Sequence, residues 1–513
     1  MMTPLDFAVI AVYFVGTAIL GLRLGGKQGS ATDYFLGGRN LPWWAVCFSI
    51  VATETSTLTV ISVPGIAFGG NVMFFSMTFG YLAARFLVAT FFLPRYVAGE
   101  METAYQFLGH RFGDGMRATA SVTFMVTRLL ADGVRLFATA IPIKVILAAS
   151  GWNVDYVPII VCIGLVTVVY TLIGGIRAVV WMDVLQMSVY VGGALFSLAI
   201  LSQQVPPDWW AQAAAQGKTV WLDLGQGKTP GDLLTSPYWI VCAVVGGAVF
   251  GMASHGTDHI IVQRLLTCRN LQDSRRAIVA SGFIVMAQFA LFLVVGLMLW
   301  AHYGGKTAQD MGLTRNDEVY PKFIIDGLPP GVTGLILAGI LAAAMSTLSS
   351  SLNALASATM SDLVQRFSKR AIAGAEALKA GRWITLGWSV VFIGFACAFR
   401  NTENPVVELG LAIASFTYGG LLGAFLLGMT NRRINQRGAI LTFLLTVAAM
   451  TVVVLGVWYG KDGWTFVLKP SAEAIKEGGL KALAWPWYTS IGACLSLALG
   501  WLLTLVGFRS DSE

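Results

Sequence analysis

The feature that most constrains this chain is the recurrence of apolar runs of about 20 residues, each long enough to cross hydrocarbon as a helix. About thirteen can be placed, at approximately 5–24, 42–69, 72–97, 117–149, 156–174, 178–202, 238–262, 277–302, 331–360, 383–399, 406–429, 437–458 and 487–507. With 12% charged residues in 513 and a mean hydropathy of +0.70, no soluble class fits, and the reading is an all-α polytopic membrane protein. Basic residues collect between alternate runs: Arg23, Lys27 and Arg39; Arg95, Arg111 and Arg117; Arg264, Arg269, Arg275 and Arg276; Arg366, Lys369, Arg370, Lys379 and Arg382; Arg432, Arg433 and Arg437; and Arg509. By the positive-inside rule the N-terminus lies outside and the C-terminus inside, in a bacterial inner membrane. No secretory signal is evident in the first run. The long loops at about 202–238, 302–331 and 460–486 then fall outside, where short amphipathic pieces are expected to cap the bundle. The formal charge of +7 reflects this orientation and calls for no nucleic acid.

Within the second run stands VATETSTLTVISVPG, Val51 to Gly65. Thr53, Glu54, Thr55, Ser56, Thr57 and Thr59 sit near mid-bilayer depth, and Pro64–Gly65 is expected to interrupt the helix. Unsatisfied backbone in hydrocarbon costs several kcal/mol per group unless protein, water or a ligand supplies partners. Broken helices of transporters use freed carbonyls and hydroxyls for ions. Small hydroxyl residues also let helices pack closely, but an ionisable Glu54 inside a span favours a functional role.

Three further stretches carry chemistry. In the ninth run Ala343, Ser346, Thr347 and Ser350 repeat at i, i+3, i+4 and i+7, with Ser349 overlapping that face. Such an oxygen stripe suits a hard cation. In TLIGGIRAVVWMDVLQ, Gly174–Gly175 predicts a tight turn and Asp183 enters the sixth run, where it could complete an ion site with the serines. In TRLLADGVRLF, Arg128, Asp132 and Arg135 share a face of the fourth run, so the acid could bridge both arginines. An anionic solute could compete for one guanidinium. Arg85 in the third run is open to the same two readings, internal ion pair or solute contact, and could also snorkel. The six cysteines lack metal-type spacing and read as packing thiols.

Four motifs together, FLGGRNLPWW, GGIRAVVWMDVLQ, GTDHIIVQRLLTCRN and AAAMSTLSSSLNA, make the chain resemble the sodium/solute symporter family over roughly residues 30–430. The resemblance implies the amino-acid-transporter fold: two inverted five-helix repeats, at 42–202 and 238–429, whose first helices are discontinuous. Residues 1–41 and 430–513 would be peripheral, 203–237 an outside loop, and the whole a single transporter domain. It implies sodium as coupling ion and no organic cofactor. A first sodium site would take the carbonyls of Ala52, Thr55 and Ala343 and the hydroxyls of Ser346 and Thr347, the last often serine in the family. A second would take Asp183, Ser346, Ser349 and Ser350, giving two sodium ions per cycle. The sugar-type contacts are absent: Leu58, Thr59, Gly251, Ser254 and Leu411 stand where sugar carriers have polar or gating side chains.

By position the solute would meet Glu54, Ser56, Thr59, Thr78, Ser254 and His255, with Arg128, Asp132 and Arg135 nearby. His255 could equally be a packed histidine. The solute class is an acidic sugar, a monocarboxylate or an amino-acid-like molecule. Partners are that solute, sodium and the bilayer. No nucleotide loop, metal cluster or sizeable soluble domain appears, so no enzyme is expected and no catalytic residue is assigned. A proton-coupled carrier using Glu54 or Asp183 is the main alternative. A transporter-derived sensor is disfavoured by the short tail after Arg509.

Overall fold

The computed structural model describes residues 2–149, 151–368, 372–399, 406–468, 470–471, 474–475 and 479–509; Lys369 and Arg370, and the side chains of Leu58 and Leu411, lie outside the described residues. Helix dominates, as hydrocarbon demands of a backbone that must satisfy itself. Among the described residues eight helices are long and apolar enough to cross a bilayer, or nine when one bent pair counts as a single span. Every apolar run of the sequence falls on helix, from Pro4–Leu24 to Pro486–Leu505.

The fifth and sixth runs form one element, Tyr156–Gln204, of 49 residues. Straight, it would extend about 74 Å, more than twice the hydrocarbon thickness. Gly175 prevents this by adopting φ +56°, a conformation only glycine takes without strain, and a Cβ there would fall 2.4 Å from the Tyr34 carbonyl oxygen. Both arms return to one level of the ninth-run helix, Val332–Ala358. The Tyr170 hydroxyl donates to the Met345 carbonyl at 3.3 Å, and Ser346 donates to Asp183 at 2.6 Å. The expected Gly174–Gly175 turn is therefore present.

The Val332–Ala358 helix is the centre of the bundle, buried along nearly its whole length. Its N-terminus is capped from the first helix: Asp6 accepts from the amides of Gly331 and Gly334, each at 2.8 Å. A carboxylate there satisfies orphan amides and complements the helix dipole. The first helix, though mostly lipid-facing, is thus pinned to the core.

Two of the long loops carry short helices, Trp209–Ala215, Pro230–Thr235 and Val319–Asp326. The third departs from an all-α architecture. Val457–Gly460, Gly463–Phe466 and Lys481–Ala482 form a small antiparallel sheet. Valine, tryptophan, tyrosine, threonine and phenylalanine flank a tight Lys461–Asp462 turn, and Gly463 takes φ +101° to close it.

Candidate functional site

Among the described residues, two helices break inside the bundle. The first runs Trp43–Glu54, becomes extended at Thr55 (φ −85°, ψ 100°) and Ser56 (φ −89°, ψ 167°), and resumes as Thr57–Gly69. The two halves are bent by 60°. The interruption expected at Pro64–Gly65 is instead at Thr55–Ser56, and Pro64 lies within the second half. The reason is where partners exist. Gln288 Nε2 donates to Thr55 Oγ1 at 2.6 Å, and Thr57 Oγ1 donates to the Ile340 carbonyl at 3.0 Å. Pro64 finds a tight helix contact: a Cβ at Gly296 would come 2.2 Å from its carbonyl oxygen.

Ending a helix at Glu54 leaves its last carbonyls without intrahelical partners. They face the ninth-run helix between two ties, Thr53 Oγ1 to Ser350 Oγ at 3.2 Å and Thr57 to Ile340. Thr55 on one side, and Ala343, Ser346 and Thr347 on the other, lie between those ties, with Ala52 one residue before the first of them; all are buried. The ties thus set the two segments that carry the first expected ion set side by side. Thr347 Oγ1 at present donates to the Ala343 carbonyl at 3.2 Å.

Of the second set, Asp183, Ser346 and Ser350 come together with an unexpected occupant, while Ser349 bonds the Ser346 carbonyl of its own helix. Asp183 accepts from Ser346 at 2.6 Å, from Ser49 at 2.5 Å and from Arg264 Nη2 at 3.1 Å. Ser350 and Ser349 both donate to the Ser346 carbonyl, at 2.6 and 3.1 Å. Ser350 also accepts from Arg264. Arg264 is thus no loop charge: it is wholly buried, as is Asp183. Carboxylate and hydroxyl oxygens suit a hard cation, so the set fits sodium, beside a guanidinium.

The second break lies in the seventh run. Helix continues through Ala253–Thr257 in a wide π turn, Asp258 is extended (φ −81°, ψ 123°), and His259–Leu266 resumes. Asp258 caps the second half by accepting from the Ile260 amide at 3.0 Å. Its other oxygen accepts from Arg128 and, at 2.9 Å, from Tyr418. π turns and extended residues of this kind gather at functional sites.

Between the breaks lies a cavity of about 240 Å³. Glu54, Ser56, Thr59, Ser254 and His255 line it, as do Arg128, Asp132 and Arg135, with Phe74, Tyr81, Phe289 and Trp485 as aromatic walls. Thr78 does not: it is buried with its hydroxyl on the Phe75 carbonyl at 2.6 Å, and Tyr81, one turn further on, takes the wall position. Arg85 does not snorkel. It is buried and binds Glu54, Ser281 at 3.2 Å and the Tyr81 carbonyl at 3.0 Å. His255 Nδ1 meets Ser254 at 2.8 Å, and Nε2 stands 3.5 Å from Glu54.

The expected bridge holds: Asp132 accepts from Arg128 at 3.4 Å and from Arg135 at 3.0 Å, and Ser351 donates to it at 2.6 Å. Arg85, Arg128 and Arg135 balance Glu54, Asp132 and Asp258, so these paired groups are jointly neutral. The two arginines bridged by Asp132 differ in availability. Arg128 is held by Asp132, Asp258 and Tyr418, whereas Arg135 makes its ion pair with Asp132 and keeps 28% of its side chain exposed.

The end of the bundle that carries Arg39 is closed by polar ties. Leu41 donates to the Thr267 carbonyl at 3.1 Å, and Arg39 binds the carbonyls of Glu100 and Met101, each at 2.9 Å. Asp362 there accepts from Thr103, Arg117 and Ser121 at 2.6, 2.7 and 2.9 Å. At the opposite end loops clasp the Thr57–Gly69 helix. Lys218 Nζ binds the carbonyls of Phe68 and Gly70 at 2.7 and 3.1 Å, and Ser62 donates to Asp317 at 3.2 Å. Burial pushes the Asp317 carboxyl above its usual range, against the lowering effect of Ser62.

Sequence reasoning missed Ser49, Arg264, Asp258, Tyr418 and Gln288. The signal for two of them was present: GTDHIIVQR puts an acid and an arginine six residues apart in an apolar run, and such charges rarely face lipid.

Two broken helices on either side of a polar cavity, one of them lying beside buried oxygens of the central helix, define a secondary transporter of the ion-coupled, broken-helix class. The family model for the sodium:solute symporter family matches residues 34–446, and the chain belongs to that family. It is a sodium-coupled solute symporter, a transporter and no enzyme. Among relatives, the sodium/sialic acid symporter SiaT of Proteus mirabilis is 25% identical over 467 residues, 89% of this chain and 90% of its own length. The sodium-coupled monocarboxylate transporter 1 of Homo sapiens is 26% identical over 473 residues, 89% of this chain and 73% of its own. A substrate-bound, outward-open Na+-coupled sialic acid symporter superposes with a TM-score of 0.82 at 23% identity, over 99% of this chain and 100% of that one, which shows the fold.

Proposed function

We propose that this symporter carries a small organic acid, with the carboxylate on Arg135 and two sodium ions per cycle. The supporting observation is the contrast between the two arginines of the fourth-run helix. Arg128 is locked by Asp132, Asp258 and Tyr418, while Arg135 keeps part of its guanidinium toward the cavity. A guanidinium fork matches a carboxylate bidentately. Glu54, Ser56, Thr59, Ser254 and His255 supply the opposite, hydrogen-bonding wall. The named solutes of the relatives, sialic acid and monocarboxylate, are both organic acids.

The first sodium binds the carbonyls of Ala52, Thr55 and Ala343 with Ser346 and Thr347. The second binds Asp183, Ser346, Ser349 and Ser350. Sodium joins the broken second-run helix to the ninth and completes the cavity wall, so the solute binds better after the ion. Each ion adds its gradient, including about 2.3 kcal/mol per charge for each 100 mV.

The architecture behind this reading has thirteen crossings. Repeats lie at 42–202 and 238–429, peripheral helices lie at either end, and no organic cofactor takes part. The N-terminus is outside and the C-terminus inside a bacterial inner membrane. The end tied by Arg39 and Asp362 then faces the cytoplasm, and the cavity is closed on that side.

The test is a thermal-shift screen of organic acids, sugars and amino acids on purified protein, in sodium and in potassium. A bound ligand stabilises by mass action. An organic acid should raise Tm only in sodium. Stabilisation by a neutral sugar alone would overturn the assignment of Arg135. Uptake driven by a pH gradient in sodium-free buffer would point instead to proton coupling through Glu54 or Asp183.

A further inference from the structure

Arg264 lies where the ligands of the second sodium converge. Its Nη2 touches both Asp183, at 3.1 Å, and Ser350, two of the oxygens assigned to that ion. Its other nitrogens are anchored elsewhere, Nε on Ser49 at 2.8 Å and Nη1 on the Ile260 carbonyl at 2.9 Å. Ser49 in turn donates to the same Asp183 oxygen. The guanidinium and the carboxylate are both fully buried. A cation arriving at Asp183 therefore meets a positive charge already fixed to it, and in low dielectric two such charges on one carboxylate repel strongly.

Arg264 sits on His259–Leu266, the half of the seventh-run helix beyond its break. Asp183 sits on the arm after Gly175, and Ser346 and Ser350 on the central helix. The same contact is thus a tie between the second broken helix and the ion-binding helix. Gln263, the neighbouring residue, adds bonds to Asn353 at 2.7 Å and to the Phe35 carbonyl at 2.9 Å, at the end closed by Arg39.

We infer that Arg264 is a tethered counter-cation. It holds Asp183 and Ser350 while the second sodium is absent, and yields them when that ion enters. Because Nε and Nη1 keep their partners, only one nitrogen has to shift, and no charge has to leave the bundle. The exchange loosens His259–Leu266 from the central helix, so ion entry at the second site releases the closed end. This rests on the two-sodium reading above. Arg264 acts through Asp183 and is a positioning residue.

The experiment titrates sodium against Tm for purified wild type, Arg264→Gln and Asp183→Asn, and follows amide hydrogen exchange over 259–266 in wild type with sodium or potassium. Removing the tethered cation should lower the sodium midpoint of Arg264→Gln about tenfold, since a buried charge left unpaired recruits another. Sodium should speed exchange over 259–266 in wild type. A folded Arg264→Gln with an unchanged or raised midpoint overturns the inference, as does slower or unchanged exchange in wild type, which decides the matter where the variant does not fold. Asp183→Asn separates the two readings. Its sodium steepness should fall from about two to about one, following loss of one of two binding ions. A wild type already at one, unaltered by Asp183→Asn, sinks the two-sodium reading and this inference with it; a normal fall together with an unmoved Arg264→Gln midpoint sinks this inference alone.

Discussion

The two broken helices solve one problem in different ways. At Thr55–Ser56 the freed backbone is bordered by hydroxyls and a single amide, Gln288, with Glu54 turned aside onto Arg85. At Asp258 the break is fixed by charge, through Arg128, Tyr418 and a helix cap. The first arrangement leaves oxygen ligands uncommitted to any permanent cation, and suits an ion that comes and goes. The second satisfies its groups within the protein, and suits a fixed wall for the cavity. The difference teaches that a break is an ion site only where its carbonyls lack a resident partner.

The largest effect should come from unpinning the charged break. Asp258→Ala leaves Arg128 buried with only the Asp132 carboxylate at 3.4 Å and the neutral Tyr418 hydroxyl, and breaking a buried pair costs about 3–5 kcal/mol. Tm without sodium should fall sharply, while Asp258→Asn, which keeps a capping side chain, should lose less. A Tm equal to wild type for Asp258→Ala would erase the contrast between the breaks. At the first break, Thr57→Val removes one neutral bond and should cost only about 1 kcal/mol.

Next in size are two substitutions that separate ion from solute. Ser346→Ala removes a hydroxyl assigned to both ion sites, and hydrogen bonds to charged partners are worth about 1.5–3 kcal/mol. Its sodium K0.5 should rise at least about tenfold, with solute affinity at saturating sodium nearly unchanged. Arg135→Gln should do the reverse: affinity for the organic acid falls about 10- to 100-fold, and the sodium midpoint without solute stays put. Parallel losses in both variants would mean that ion and solute share one undivided site.

Much of the fold and of the site is legible in the sequence. Apolar periodicity places the helices, because hydrocarbon leaves the backbone little choice. The hydroxyl stripe from Ala343 to Ser350 is legible, since i, i+3, i+4 and i+7 share a helix face wherever the helix lies. The Arg128–Asp132–Arg135 bridge is local for the same reason. What the sequence hides depends on contacts distant along the chain. Arg264 looks like a loop charge because its partner, Asp183, is 81 residues away. The break stands at Thr55 and not at Pro64, and the residue that holds the extended Thr55 side chain, Gln288, lies on another helix far along the chain. Thr78 leaves the cavity wall by helix rotation, which sequence spacing constrains only to within a turn.

The smallest effect sharpens the comparison at the far end of the first break. The Thr57–Gly69 half is held by Ser62 on Asp317 and by Lys218 on its last carbonyls, so its freedom depends on a loop as well as on sodium. Burial raises the Asp317 carboxyl, while Ser62 and Arg315 oppose the rise and Glu318 adds to it. A carboxyl raised in the docked state favours docking when protonated. That contribution is complete below the free-loop value and is lost as pH rises through the raised one. Acidifying the medium should therefore raise the protection of amides over 314–326 relative to their intrinsic exchange rates, by about twofold for a partly buried group. Asp317→Asn should show the higher protection at every pH, with its pH dependence gone. Lower protection in acid would mean that the ionised carboxylate holds the clasp. The uncharged break would then lean on a fixed charge after all, as the second break does at Asp258.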